Sequence, residues 1–205
     1  MNAALLGRRQ WLALVAAAAV PGCATLPPQA TLNADDRVAI AQITQYLNAL
    51  HSFKADFAQT GPDGVSQGTV WMQRPGQLCV LYERPRRKIM LANQGRLRLA
   101  DLTTGATTSL PLARTPLDIL LAPVVQLTDS ITITGIVRQP GALQLSLVKT
   151  ASPGQGTLTL RFSAAPLALT GVTIVDRNGQ TTAFDLSDMQ RDVQIDPARF
   201  SYTPS

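Results

Sequence analysis

The stretch TVWMQRPGQLCVLYERP, residues 69–85, decides the fold. It reads as two short strands joined at Pro75-Gly76. Side chains alternate between the faces of a strand, so a sheet with one wet face alternates apolar and polar residues. This hairpin barely does. Val70, Trp71 and Met72 are consecutive, as are Leu78 through Tyr82, so both faces ask for apolar surroundings. Arg74, a cation, stands at the bend.

Working outward, residues 52–68 and 86–101 continue the pattern of short strands with turn signals between them. Pro62-Asp63-Gly64 and Asn93-Gln94-Gly95 mark turns, and Asn178-Gly179 is a strong two-residue hairpin signal. Strands are expected near 131–138, 142–149, 156–163, 169–176 and 180–187. Two helices flank this β pattern. The first is predicted from Ala34 to His51: Asn33 suits the N-cap, Asp35 and Asp36 suit the positive end of the dipole, and Ile40, Ile43, Leu47 and Leu50 recur at helical spacing. The second lies in RTPLDILLAP, residues 114–123, with Thr115 as the expected cap, Pro116 in the first turn and Pro123 as the stop. The fold class read from the residues is mainly β with helices: a strongly curved antiparallel sheet with two helices against it, long enough to curl into a barrel-like form.

The first residues read as an address. Arg8-Arg9 precede the apolar run Trp11–Val20, which is short of the roughly 20 residues a membrane helix needs. GRRQWLA resembles a twin-arginine export signal, and VPGC resembles a lipobox with Cys23 as the candidate lipidation site. The competing reading is ordinary cleavage after Ala24. The expected division is a signal peptide at 1–24, an N-terminal tether at 25–32 and one domain at 33–205. With Cys23 removed or lipidated, Cys79 is alone and no disulfide framework exists.

Composition and motifs limit the chemistry. The 205-residue chain is 45% apolar and 15% charged, with a net charge of +5 that falls to about +3 without Arg8 and Arg9. The only basic cluster is Arg84, Arg86, Arg87 and Lys88. It is a solvated loop or a contact for an anionic surface or acidic partner, not the basic stripe with interleaved aromatics of a nucleic-acid binder. Gly64-Val-Ser-Gln-Gly68 matches G-x-S-x-G, which would make Ser66 the nucleophile of a lipid hydrolase. That motif needs a helix after the serine, and Thr69–Met72 reads as strand; the single histidine, His51, also precedes the serine. His51 reads instead as a helix C-terminal residue. One histidine and at most two cysteines cannot build a zinc site, and no phosphate loop is present, so neither an enzyme nor a cofactor is expected.

FKADFAQT (53–60) followed by GTVWMQRPGQLCVLYERP (68–85) resembles the outer-membrane lipoprotein carrier protein family. The matched points are Phe57, Gln59, Gly68, Trp71, Arg74-Pro75, Tyr82 and Pro85, and the likeness continues through LANQGRLRLADL, TPLDILL, VDRNGQTTAFDL and FSYTP. The resemblance implies an incomplete antiparallel β-barrel, covered by α-helices and enclosing an apolar cavity, in a periplasmic monomer whose interior holds lipoprotein acyl chains. It implies as partners an ATP-driven extraction complex in the inner membrane and an outer-membrane lipoprotein receptor. A lipidated Cys23 would point instead to the anchored receptor of the same fold. The family usually has a longer C-terminal extension than the residues after the last expected strand. On this reading Val70, Trp71, Met72, Leu78, Val80, Tyr82, Leu117, Leu120 and Leu121 are the expected lipid-binding residues. Arg74 is the expected latch, its guanidinium reaching carbonyls of the covering helix 116–122.

Overall fold

The computed structural model describes residues 29–201. The export features and Cys23, and the end of the FSYTP stretch, lie outside them. Eleven antiparallel strands form one open sheet: β1 (Ser52–Gly61), β2 (Gly64–Gln73), β3 (Gln77–Arg84), β4 (Lys88–Asn93), β5 (Arg96–Asp101), β6 (Thr107–Pro111), β7 (Ile131–Gln139), β8 (Ala142–Lys149), β9 (Gly156–Ala164), β10 (Leu167–Asp176) and β11 (Thr181–Arg191). Two meanders, β1–β6 and β7–β11, are joined side by side where β1 pairs with β11, leaving β6 and β7 as the outer edges. Val70 and Val80 from one meander share a core cluster with Leu145, Leu158 and Leu160 from the other. A flat sheet could not bring them together, so the sheet curls around its apolar face.

Helix α1 (Ala34–Ala49) closes part of the concave side. Its N-terminus carries a capping box: the Asp36 N–H donates to the Asn33 side chain at 2.9 Å, and the Asn33 N–H to Asp36 at 3.0 Å. Ile43, Leu47 and Leu50 are buried, as their spacing predicts. The Tyr46 hydroxyl accepts the Leu169 N–H at 3.0 Å, and its ring meets Phe162 edge-on. The second helix, α2, is shorter than expected, Leu117–Leu121. Thr115 does not cap it; its hydroxyl donates to the Leu112 carbonyl at 2.8 Å and closes the preceding 3-10 turn, Leu112–Arg114.

The opening hairpin obeys alternation after all. Val70, Met72, Leu78, Val80 and Tyr82 face the core; Trp71 and Cys79 face outward. The outer apolar face is covered by the chain after β11. The 3-10 turn Pro197–Phe200 lays Phe200 against Cys79 and Leu91, with Trp71, Ile89 and Ile195 at the rim. Arg199 stacks 4.5 Å from the Trp71 ring centroid, and the Asn93 side chain donates to the Phe200 carbonyl at 3.1 Å.

Burial pushes the Cys79 thiol from its ordinary value of 9.0 up to about 11, against a smaller opposing pull from Arg199. Because the folded pKa is raised, the associated stability is complete below pH 9 and is lost as the pH rises toward 11. Cys79 is expected to contribute a fall in unfolding free energy of about 1.4 kcal/mol per pH unit across that window, and Cys79→Ala should remove that part of the slope in urea titrations.

Candidate functional site

The concave face holds a narrow apolar slot between β1–β4, β10–β11 and α2. Its walls include Phe53, Val70, Leu78, Val80, Val172 and Leu186, and its roof is Leu117 and Leu120. The slot measures about 50 Å³, small beside the roughly 300–1,000 Å³ of a ligand pocket. The sequence implied an enclosed apolar cavity, and the slot between the sheet and the roof leucines is narrow.

The free space lies at the mouth. Met90, Leu117, Ile174 and Phe184 line both the slot and an adjoining cleft of about 410 Å³, a ligand-sized volume. That cleft continues, through Gln59 and Tyr82, into a more polar one of about 610 Å³ lined by Asp63, Ser66, Arg86 and Lys88. The Tyr82 hydroxyl donates to Gln59 at 2.8 Å where apolar gives way to polar, and burial raises the phenol's pKa. Of the basic cluster, Arg84, Arg86 and Arg87 are exposed; Lys88 sits 3.9 Å from Asp63.

The expected lipid-binding residues therefore divide. Val70, Leu78, Val80, Leu117 and Leu120 line the slot, and Tyr82 lines the mouth. Met72 and Leu121 are core residues packed behind it. Trp71 is a correction: its parity is opposite to that of Val70 and Met72, so it packs under the C-terminal turn on the outer face. Phe53, Met90, Val172, Ile174, Phe184 and Leu186 were missed. The alternation Val172/Ile174 and Phe184/Leu186 was the signal that could have found four of them.

Arg74 also needs correcting. It continues the inward parity of Val70 and Met72, and its N–H donates to the His51 carbonyl at 2.9 Å. Its Nε and Nη2 are enclosed without a hydrogen-bond partner, and desolvation lowers its pKa. The expected bond to the covering helix is not made. The last carbonyl of α2, Leu121, instead accepts the N–H of Gly76 from the same turn, at 2.9 Å.

The roof is held by other groups. The Lys149 ammonium on β8 donates to Asp118 of α2 at 2.6 Å and to the Ala113 carbonyl at 2.9 Å. Asn48 of α1 makes two bonds to Val125, accepting its N–H at 2.8 Å and donating to its carbonyl at 3.0 Å. The segment from Leu112 to Leu127 is thus a short strap pinned at a few polar points over an apolar slot.

Ser66 lies on β2 opposite Gln59, in mid-strand and not on a strand-to-helix elbow. Among the described residues no group of three His, Cys, Asp or Glu side chains is placed to hold a metal ion.

A curled open sheet with a strap-roofed apolar slot defines a class of half-barrel proteins built around an apolar interior. The profile of the family described as "Outer membrane lipoprotein carrier protein LolA" matches residues 48–203, and the chain belongs to that family. Similar curated proteins include the outer-membrane lipoprotein carrier proteins of Methylococcus capsulatus, 24% identical over 80% of this chain and 83% of its own, and of Chromohalobacter salexigens, 26% identical over 78% and 80%. Among solved structures, a LolA superfamily protein from Nitrosomonas europaea is similar at a TM-score of 0.44 and 14% identity, covering 79% of this chain and 97% of its own.

Proposed function

We propose that this protein is a periplasmic carrier that shields the acyl chains of lipoproteins on their way from the inner to the outer membrane. The observation that carries the reading is the apolar slot whose roof, Leu117 and Leu120, is itself apolar and is tied to the sheet by the bonds of Lys149. An arriving acyl chain can replace those leucines without exposing the core. Each methylene withdrawn from water is worth about 0.8 kcal/mol, so the cargo cannot cross an aqueous gap bare. A bilayer shields it equally well, so loading requires a driven partner and delivery a better acceptor. We assign those roles to an ATP-driven extraction complex and an outer-membrane receptor. The test is transfer of an acylated peptide from donor to acceptor vesicles. The protein should accelerate it in proportion to its concentration and leave an unacylated peptide unaffected; no acceleration contradicts the reading.

The VPGC stretch favours a second reading, the membrane-anchored receptor. The intact mass of the chain purified from its host separates the two: a diacylglyceryl increment on Cys23 means the receptor, and a chain beginning near Thr25 means the shuttle.

The strap yields an expected result. The Lys149–Asp118 pair is partly exposed, at 23% and 38% of the side chains, so screening limits it to about 1 kcal/mol. Lys149→Met should therefore speed entry of an acyl probe about fivefold in stopped-flow mixing, and high salt should speed the wild type likewise. Arg74→Leu removes a guanidinium whose enclosed Nε and Nη2 have no hydrogen-bond partner, so the thermal midpoint should be unchanged or raised. A marked drop would mean that the guanidinium stabilises the fold.

A further inference from the structure

We propose that the mouth of the slot is a polar subsite for the amide group of an N-acylated ligand, with the side chain of Gln155 as its acceptor. This rests on the carrier reading and names the chemistry beside the acyl chain. Gln155 ends a 3-10 turn, Pro153–Gln155, and lines the mouth together with Pro116, Leu117 and Ile174. Its Oε1 is sealed from solvent and has no hydrogen-bond partner. A buried amide oxygen left unpaired is costly, and such a group calls for a donor. Across the mouth, Tyr82 and Gln59 satisfy each other, so the unmet demand there is that of Gln155.

The backbone is built to bring Gln155 to this place. Gly156, its neighbour, has φ +122°, a conformation that favours glycine. A Cβ there would lie 2.1 Å from the Val175 carbonyl oxygen and 3.2 Å from Pro116 Cγ. Only a residue without a side chain lets this turn press against both β10 and the start of the roof. Gln155 therefore sits where the strap begins, on the cleft beside the slot, and in the proposed subsite lifting the strap to admit a chain is what uncovers its Oε1.

That position selects for chemistry. An ester joining an acyl chain to its head offers only acceptors and leaves Oε1 unpaired. A secondary amide offers an N–H. A site that hydrogen-bonds a ligand N–H discriminates against the analogue lacking it. The experiment uses two probes of one chain length, a fatty N-methylamide and the matching methyl ester, each competing against a fluorescent alkyl probe on the full protein. The wild type should prefer the amide by roughly tenfold. Gln155→Leu should abolish the preference while binding the ester no more weakly than the wild type does. Equal affinity of the wild type for both probes overturns the proposal, whether or not the variant folds, as does a preference that survives in Gln155→Leu. If neither probe binds, the carrier reading falls first and this inference with it.

Discussion

Ile174→Glu is expected to lower affinity for a long-chain acyl probe by about two hundredfold. Ile174 is paired with Leu158 on one side and Thr182 on the other, and lines both the mouth and the slot. A chain must pass it to go deeper. The slot lining offers a carboxylate no cation, Arg114 and Arg177 lining only the adjoining cleft, so burying the charge beside an acyl chain in the slot is costly. The chain would stop short, leaving about four methylenes in water at about 0.8 kcal/mol each. Because Ile174 is only half-buried, the variant should fold. Competition titration against wild type, with circular dichroism as the folding control, checks this. Unchanged affinity would remove the slot from the binding path.

Gly68→Ala should destabilise the protein by about 3 kcal/mol, enough to move the urea midpoint well outside error. Gly68 lies opposite Phe57 on one side and Tyr82 on the other, whose rings meet at 5.3 Å. It sits at a register shift in the β2–β3 ladder. A Cβ at Gly68 would stand 1.9 Å from the Leu81 carbonyl oxygen, an impossible contact that only backbone movement can relieve. Gly154, which has open space around it, is the control: Gly154→Ala should stay within about 0.5 kcal/mol of wild type.

The strands other than β6 were legible because their signals are local; β6 (Thr107–Pro111), a short, mostly exposed edge strand, was not expected. The turn residues between β1 and β2, β2 and β3, β4 and β5, and β10 and β11 stand where the sequence puts them, and Asn33 with the Ile43/Leu47/Leu50 stripe fixes α1. What failed depends on contacts distant in sequence. Trp71 and Cys79 are as apolar as Val70 and Val80, so the hairpin alone could not say which parity faces inward. The answer lies more than a hundred residues on, in Phe200, within a stretch that has no periodicity of its own. Arg74 was placed at the correct bend, but its partner was misjudged because the Gly76 N–H, invisible in a side-chain pattern, takes the carbonyl of Leu121. Lys149 and Asn48 were missed for the same reason: a lone polar residue on a strand or helix reads as surface until the strap it holds is seen. The size of the slot could not be read at all, since it depends on how far two leucines reach across a curled sheet.

The central claim is that the apolar interior opens to hold an acyl chain. Titrating a fluorescent long-chain acyl probe into the purified protein tests it most directly, with an acylated peptide as competitor. Binding should saturate, and the acylated peptide should displace the probe while its unacylated counterpart does not. Fluorescence that rises without saturation, or saturates but resists the acylated competitor, would contradict it and make the interior a filled core.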